Sequence, residues 1–314
     1  MRPAFSVIFL TTLIGAGQGL FIALYVAELG ALLGAWNMPP GPYFALGCVL
    51  SLALLGAGLL ASFFHLGRPE RAWRSAAMWR TSWLSREVIV LPAFMAVVAA
   101  FGLAHYLRGA GDLTLALGAA GLLLGLLLFI CTGMIYACLP FLQEWHTPLT
   151  VINYTLFGCA SGFLLGTAWA AAEAPALVAA SALWTAAFTL AALVTRAASL
   201  ARNARLRPKS TVQTAIGVKH PRIAQKSQGF MGGSFNTREF FHSSSFAWLC
   251  AVKWAFLLLV FPLPLALLAA GVALSAWPVL ALAFVLQYLG LLAERWFFFA
   301  QAKHPQNLYY QAIS

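Results

Sequence analysis

Apolar residues run almost without interruption over eight stretches of the chain, 5–34, 43–65, 85–107, 114–139, 149–171, 175–200, 247–271 and 276–300, and polar residues collect between them. About 20 consecutive apolar residues are what an α-helix needs to cross the roughly 30 Å hydrocarbon core of a bilayer. The runs are long and continuous, whereas strands of a membrane barrel would alternate over about 10 residues. The pattern therefore predicts an all-α integral membrane protein, a bundle of about eight transmembrane helices making one membrane domain over residues 1–314.

Proline and glycine punctuate the runs. Gly41-Pro42, following Pro39-Pro40, separates the first two spans, Pro140 closes the fourth and Pro148 opens the fifth. Pro262 and Pro264 lie inside the seventh span and should kink it, because each removes a backbone donor. Small residues four apart, at Gly15 and Gly19, Gly121 and Gly125, and Gly158, Gly162 and Gly166, predict helix faces that approach closely in lipid. Gly15, Gly17 and Gly19 superficially resemble a phosphate loop, but no strand precedes them, so packing is the reading.

Composition agrees with the pattern: 62% of the residues are hydrophobic, 9% are charged, and the mean hydropathy is +0.85. A soluble domain covers itself with roughly 25% charged residues, so this surface must mostly meet lipid. The apolar start, Ala4 to Gly34, is too long for the core of a secretion signal and is read as the first span. Cys48, Cys131, Cys138, Cys159 and Cys250 are scattered without a CxxC pair. They read as packing residues, so no metal site, disulfide framework or iron–sulfur cluster is expected in this chain.

The net charge of +11 does not point to nucleic acid, because the basic residues lie between spans, where they set orientation. With eight spans, both termini and every loop that follows an even-numbered span share one side. Arg2, the Arg68–Arg86 group, the Arg202–Arg238 group and Lys303 all fall there, and Arg196, Lys253 and Arg295 are placed at span ends on the same side. Of the 19 Lys and Arg, Arg108 alone falls opposite. By the positive-inside rule the basic side is cytoplasmic, with both termini.

Two polar loops stand out on that side. The long one, 201–246, carries Phe230, Phe235, Phe240 and Phe241 near Gly229, Gly232 and Gly233. A disordered linker is rarely so aromatic, so it is read as an ordered loop that docks a partner. The other, 66–86, is basic and lies between His65 at the end of span two and Glu87 at the start of span three. Anchoring of helices at the interface accounts for Trp73, Arg74, Trp79 and Arg80. It accounts less well for His65 and Glu87, since an ionisable residue at the lipid boundary has a partner or a task. A histidine and a carboxylate at head-group level suit the oxygens of a quinone, whose reduction takes up two protons with two electrons. Arg68, Arg71 or Arg86 could hold Glu87 ionised. Haem is disfavoured, because His65, His105, His146, His220, His242 and His304 all fall in loops or at span ends. No acidic residue is placed near the middle of a span, which argues against an ion-coupled transporter.

The run His65-Leu-Gly-Arg-Pro-Glu-Arg-Ala-Trp73, followed by Trp79-Arg-Thr-Ser-Trp-Leu-Ser-Arg-Glu87, resembles the membrane-anchor subunits of dimethyl sulfoxide reductase-type molybdoenzymes. The opening Pro3-Ala-Phe-Ser-Val-Ile-Phe-Leu and the span layout agree, so the resemblance covers most of the chain. It implies an anchor in the bacterial inner membrane that exchanges electrons with ubiquinone or menaquinone. It also implies an iron–sulfur partner with four [4Fe–4S] clusters and a catalytic partner holding a molybdenum bis-pterin guanine dinucleotide. In that family the positions of His65, Arg71 and Glu87 belong to the quinol site, with Gly67, Arg68 and Arg86 as companions. The segment Lys219-His-Pro-Arg222 and Ser227 to His242 further resembles the branch that serves cytoplasmic sulfite dehydrogenases. That branch agrees with the cytoplasmic orientation and implies sulfite oxidation with quinone reduction. Alternatives are the anchor of a reductase for dimethyl sulfoxide or another S- or N-oxide, and a structural anchor without its own quinone site.

Overall fold

The computed structural model describes residues 1–224 and 240–308. Its long helices are α1 (Phe5–Leu32), α2 (Gly41–Phe63), α3 (Trp83–Arg108), α4 (Asp112–Ala137), α5 (Pro148–Glu173) and α6 (Val178–Ala204). After the short α7 (Val212–Ile216) come α8 (Phe246–Val260), α9 (Pro262–Ala273) and α10 (Trp277–Gln301). With α8 and α9 counted as one span, eight helices among the described residues are long and apolar enough to cross a membrane, as the hydrophobic runs predict. The kink expected from Pro262 and Pro264 is a break at Phe261, after which both prolines occupy the first turn of α9. There a missing N–H costs nothing.

The helices α1 and α5 form the centre of the bundle. α1 packs on α2, α4, α5 and α10, and α5 packs on α1, α4, α6 and α10. Their contact is glycine on glycine: a methyl group at Gly19 would overlap the Gly158 carbonyl, and one at Gly162 would overlap the backbone of Gly19. The predicted small-residue faces thus meet each other, and Gly121 makes room for the Phe21 ring. Gly17 is a packing residue too, its carbonyl accepting from Ser51 Oγ at 2.8 Å. Phe21, Phe44, Phe94 and Phe101 fill the core of α1 to α3.

Several boundaries move from the sequence reading. α6 continues to Ala204, so the long loop starts later; Arg202, in its last turn, donates to the Gln143 carbonyl at 3.1 Å. The amine of Met1 donates to the Ala302 carbonyl at 2.8 Å, which puts the start of the chain and the end of α10 on one face of the bundle. Gly229, Phe230, Gly232, Gly233 and Phe235, with Lys226 and Arg238, lie outside the described residues.

Candidate functional site

The loop between α2 and α3 is built from short local bonds. α2 ends at Phe63, a 3-10 turn covers Pro69–Ala76, and Ser82 caps α3 by accepting from the Ser85 amide. Arg86 folds back from α3, its Nε and Nη2 each donating at 2.9 Å to the Trp79 and Arg80 carbonyls. Its guanidinium lies 4.2 Å from the Trp83 ring centre, and Arg80 similarly covers Trp79 at 5.0 Å. Trp73 and Trp79 are exposed, so these Arg–Trp pairs sit where an interface belt would be.

The two predicted chemical residues have opposite environments. His65, two residues beyond α2, is exposed, and the partial desolvation it does undergo lowers its pKa from the ordinary histidine value. Glu87 is 7% exposed, and Thr132 Oγ1 of α4 donates to its Oε1 at 2.5 Å. The expectation that an arginine would pair with Glu87 is not met: among the described residues none lies within ion-pair distance of it. Arg86 is committed to loop carbonyls and Arg71 lies 3.9 Å from Glu70 on the exposed surface. Arg68 and Gly67 are exposed, and a methyl group at Gly67 would meet open space. The structure therefore joins Glu87 to Thr132, which the sequence reading did not name, and leaves His65, Arg68 and Arg71 at the surface of the same loop.

Two buried charged clusters also escaped that reading. Glu28 near the end of α1 and His105 near the end of α3 are buried, with Oε1 and Nε2 3.3 Å apart. Thr114 Oγ1 donates to the same carboxylate, and the His105 ring stacks on Phe44 at 4.1 Å. Toward the other end of the bundle, Glu294 pairs with Arg196 at 2.8 Å and with Arg295 at 2.5 Å. Arg196 and Arg295 are 2% and 4% exposed, so they are not the span-end charges that the orientation tally assumed. Arg295 lies 4.1 Å from the centre of the Tyr154 ring and Arg196 5.5 Å from that of Phe256. Glu294, seven residues before the end of α10, also corrects the expectation that acidic residues stay out of span interiors. A signal was available: an Asp, Glu, Arg or His inside an apolar run has a partner by default. The partners are on other helices, and one sequence does not pair them.

The family model for the DMSO reductase anchor subunit (DmsC) matches residues 1–310. The chain is 54% identical over 325 aligned positions to a membrane-complex relative from Allochromatium vinosum, one of the subunits of its sulfite dehydrogenase, covering 100% of both chains. It is 30% identical over 155 positions to the anaerobic dimethyl sulfoxide reductase chain YnfH of Escherichia coli, covering 48% of this chain and 53% of that one.

Proposed function

The chain belongs to the DMSO reductase anchor subunit family, and from that premise we propose that it is the quinone-reactive anchor of a sulfite-oxidising complex. As a member it is a membrane anchor subunit of an oxidoreductase complex of the sulfite dehydrogenase or DMSO reductase type. The full-length identity to a sulfite dehydrogenase subunit favours sulfite as the electron donor over an S-oxide as the acceptor. In this reading a molybdenum partner takes two electrons from sulfite, water supplies the oxygen of sulfate, and an iron–sulfur partner carries the electrons to the membrane. The quinone takes up those two electrons and two protons to become a quinol.

The observation that carries quinone chemistry in this chain is Glu87, a buried carboxyl at the start of α3 beneath a loop that presents His65. Glu87 takes one quinone oxygen and His65 the other, and both pass protons taken from the cytoplasm. The long loop and the 66–86 loop form the basic platform on which the iron–sulfur subunit docks. A cavity of about 890 Å³ at the ends of α6 and α10, with Lys209, Lys253 and Lys303 in its walls, extends that platform. Substrate and protons are handled on one side, so the step itself builds little membrane potential.

The test is sulfite-dependent reduction of a quinone analogue by membranes containing the chain and its co-purifying partners, with dimethyl sulfoxide-dependent quinol oxidation run alongside. Sulfite activity is expected. Activity with dimethyl sulfoxide alone would overturn the assignment of the donor.

A further inference from the structure

The helices α1 and α2 meet closely on their inner side and part on their outer side. Inside, a methyl group at Gly58 would press on Ile14 and one at Gly17 on Leu55, so these glycines set a short interhelical distance. Outside, a shallow cleft of about 390 Å³ opens between the two helices, lined by Ser6, Phe9 and Leu13 of α1 and by Ala57, Leu60 and Ala61 of α2, with Phe64 at its end. Ala57 and Ala61, one turn apart, give the cleft its depth, and Leu60 and Phe64 form a wall. Seven residues on each helix, from Ser6 to Leu13 and from Ala57 to Phe64, carry the cleft about 10 Å into the membrane.

The direction of the cleft gives it meaning. α1 begins and α2 ends on the same face of the bundle, so Ser6 and Phe64 lie at the mouth and Leu13 and Ala57 at depth. The residue after Phe64 is His65. Phe64 itself is 82% exposed and Leu60 62%, so the cleft is open to lipid along its length and ends beside the polar loop. An apolar channel of this kind fits a ligand with a polar head and a hydrocarbon chain, the head at His65 and the chain between the helices.

We propose that the α1–α2 cleft holds the isoprenoid chain of the quinone and admits it sideways from the bilayer to His65. This rests on the quinone-reactive reading above. A phospholipid acyl chain would fill the same space without reference to His65, and substitutions in the cleft separate the two occupants.

The experiment uses membranes carrying the assembled complex and compares two quinones, one with an isoprenoid chain and one with none. Ala61→Phe fills the cleft from its lipid-facing side. The expected result is a rise of roughly tenfold in the ratio of KM for the tailed quinone to KM for the tail-less one, corresponding to loss of burial for about two methylenes of chain. Leu60→Ala, which removes a wall and adds no bulk, should raise the same ratio by a smaller factor and serves if Ala61→Phe does not assemble. A ratio that stays at the wild-type value in both variants overturns the cleft and leaves an acyl chain as its occupant. His65→Ala, assayed with both quinones, separates the premises: full activity with both overturns the head-group reading, whereas an unchanged KM ratio in the cleft variants overturns the cleft alone.

Discussion

Thr132 of α4 donates a hydrogen bond of 2.5 Å to the carboxyl of Glu87 on α3, and both side chains are buried, at 5% and 7% exposure. Glu87 is thereby held by a neutral hydroxyl, and the arginines around the loop face carbonyls, tryptophans and water. An uncharged donor orients a carboxyl while leaving it free to gain and lose a proton, which a guanidinium partner would oppose.

Thr132→Val removes that donor at nearly constant volume. With a buried oxygen left unpaired, quinone-coupled turnover should fall roughly ten- to hundredfold, as expected for about 1–3 kcal/mol at one buried hydrogen bond. Thr132→Ser should restore most of the rate. Turnover normalised to assembled complex checks this, and equal rates in all three proteins would show that the bond does not matter to the reaction.

The Glu294 cluster makes a different demand. Two arginines and one carboxylate are buried where α5, α6, α8 and α10 meet. Glu294→Gln would leave both guanidiniums without a counter-charge and should destabilise the protein by about 3–5 kcal/mol. Thermal unfolding in detergent measures it, and a melting temperature equal to wild type would mean that the charges find other partners.

Glu28 and His105 should matter for stability but not for the quinone. His105 lies 18 residues after Glu87, five turns along the same face of α3 and so about 27 Å away, and Phe94, Val98 and Phe101 are buried between them. Glu28→Gln should therefore lower the melting temperature while leaving the KM for quinone at its wild-type value. A changed KM would show that the two ends of α3 are coupled.

Orientation follows from charge, and removing Arg196 and Arg295 from the loop tally leaves the asymmetry in place. A cysteine substituted for Arg108 should react with a membrane-impermeant maleimide from outside intact cells, and one substituted for Lys219 only after permeabilisation. The reverse pattern would invert the topology.

The spans were legible because each is a continuous apolar run, and the glycine contact between α1 and α5 because its spacing repeats every four residues. The loop between His65 and Glu87 was legible because polar residues crowd there between two such runs. The Thr132 bond was not: a threonine in an apolar helix satisfies itself on its own backbone as readily as it faces a carboxyl on another. Arg196 read as an end-of-span charge because it lies two turns before the loop, and its partner Glu294 is 98 residues further on. Pairing of this kind is decided by which helix faces are adjacent, and that depends on the whole bundle.

The central claim is that the quinone reacts in this chain, at His65 and Glu87. The most direct measurement is electron transfer by the assembled complex carrying His65→Ala, followed both with a quinone analogue and with a soluble artificial acceptor that takes electrons from the partner subunits. The account predicts loss of quinone reduction with transfer to the soluble acceptor retained. Quinone reduction at the wild-type rate would contradict it and leave the chain as a structural anchor whose partner carries the quinone site.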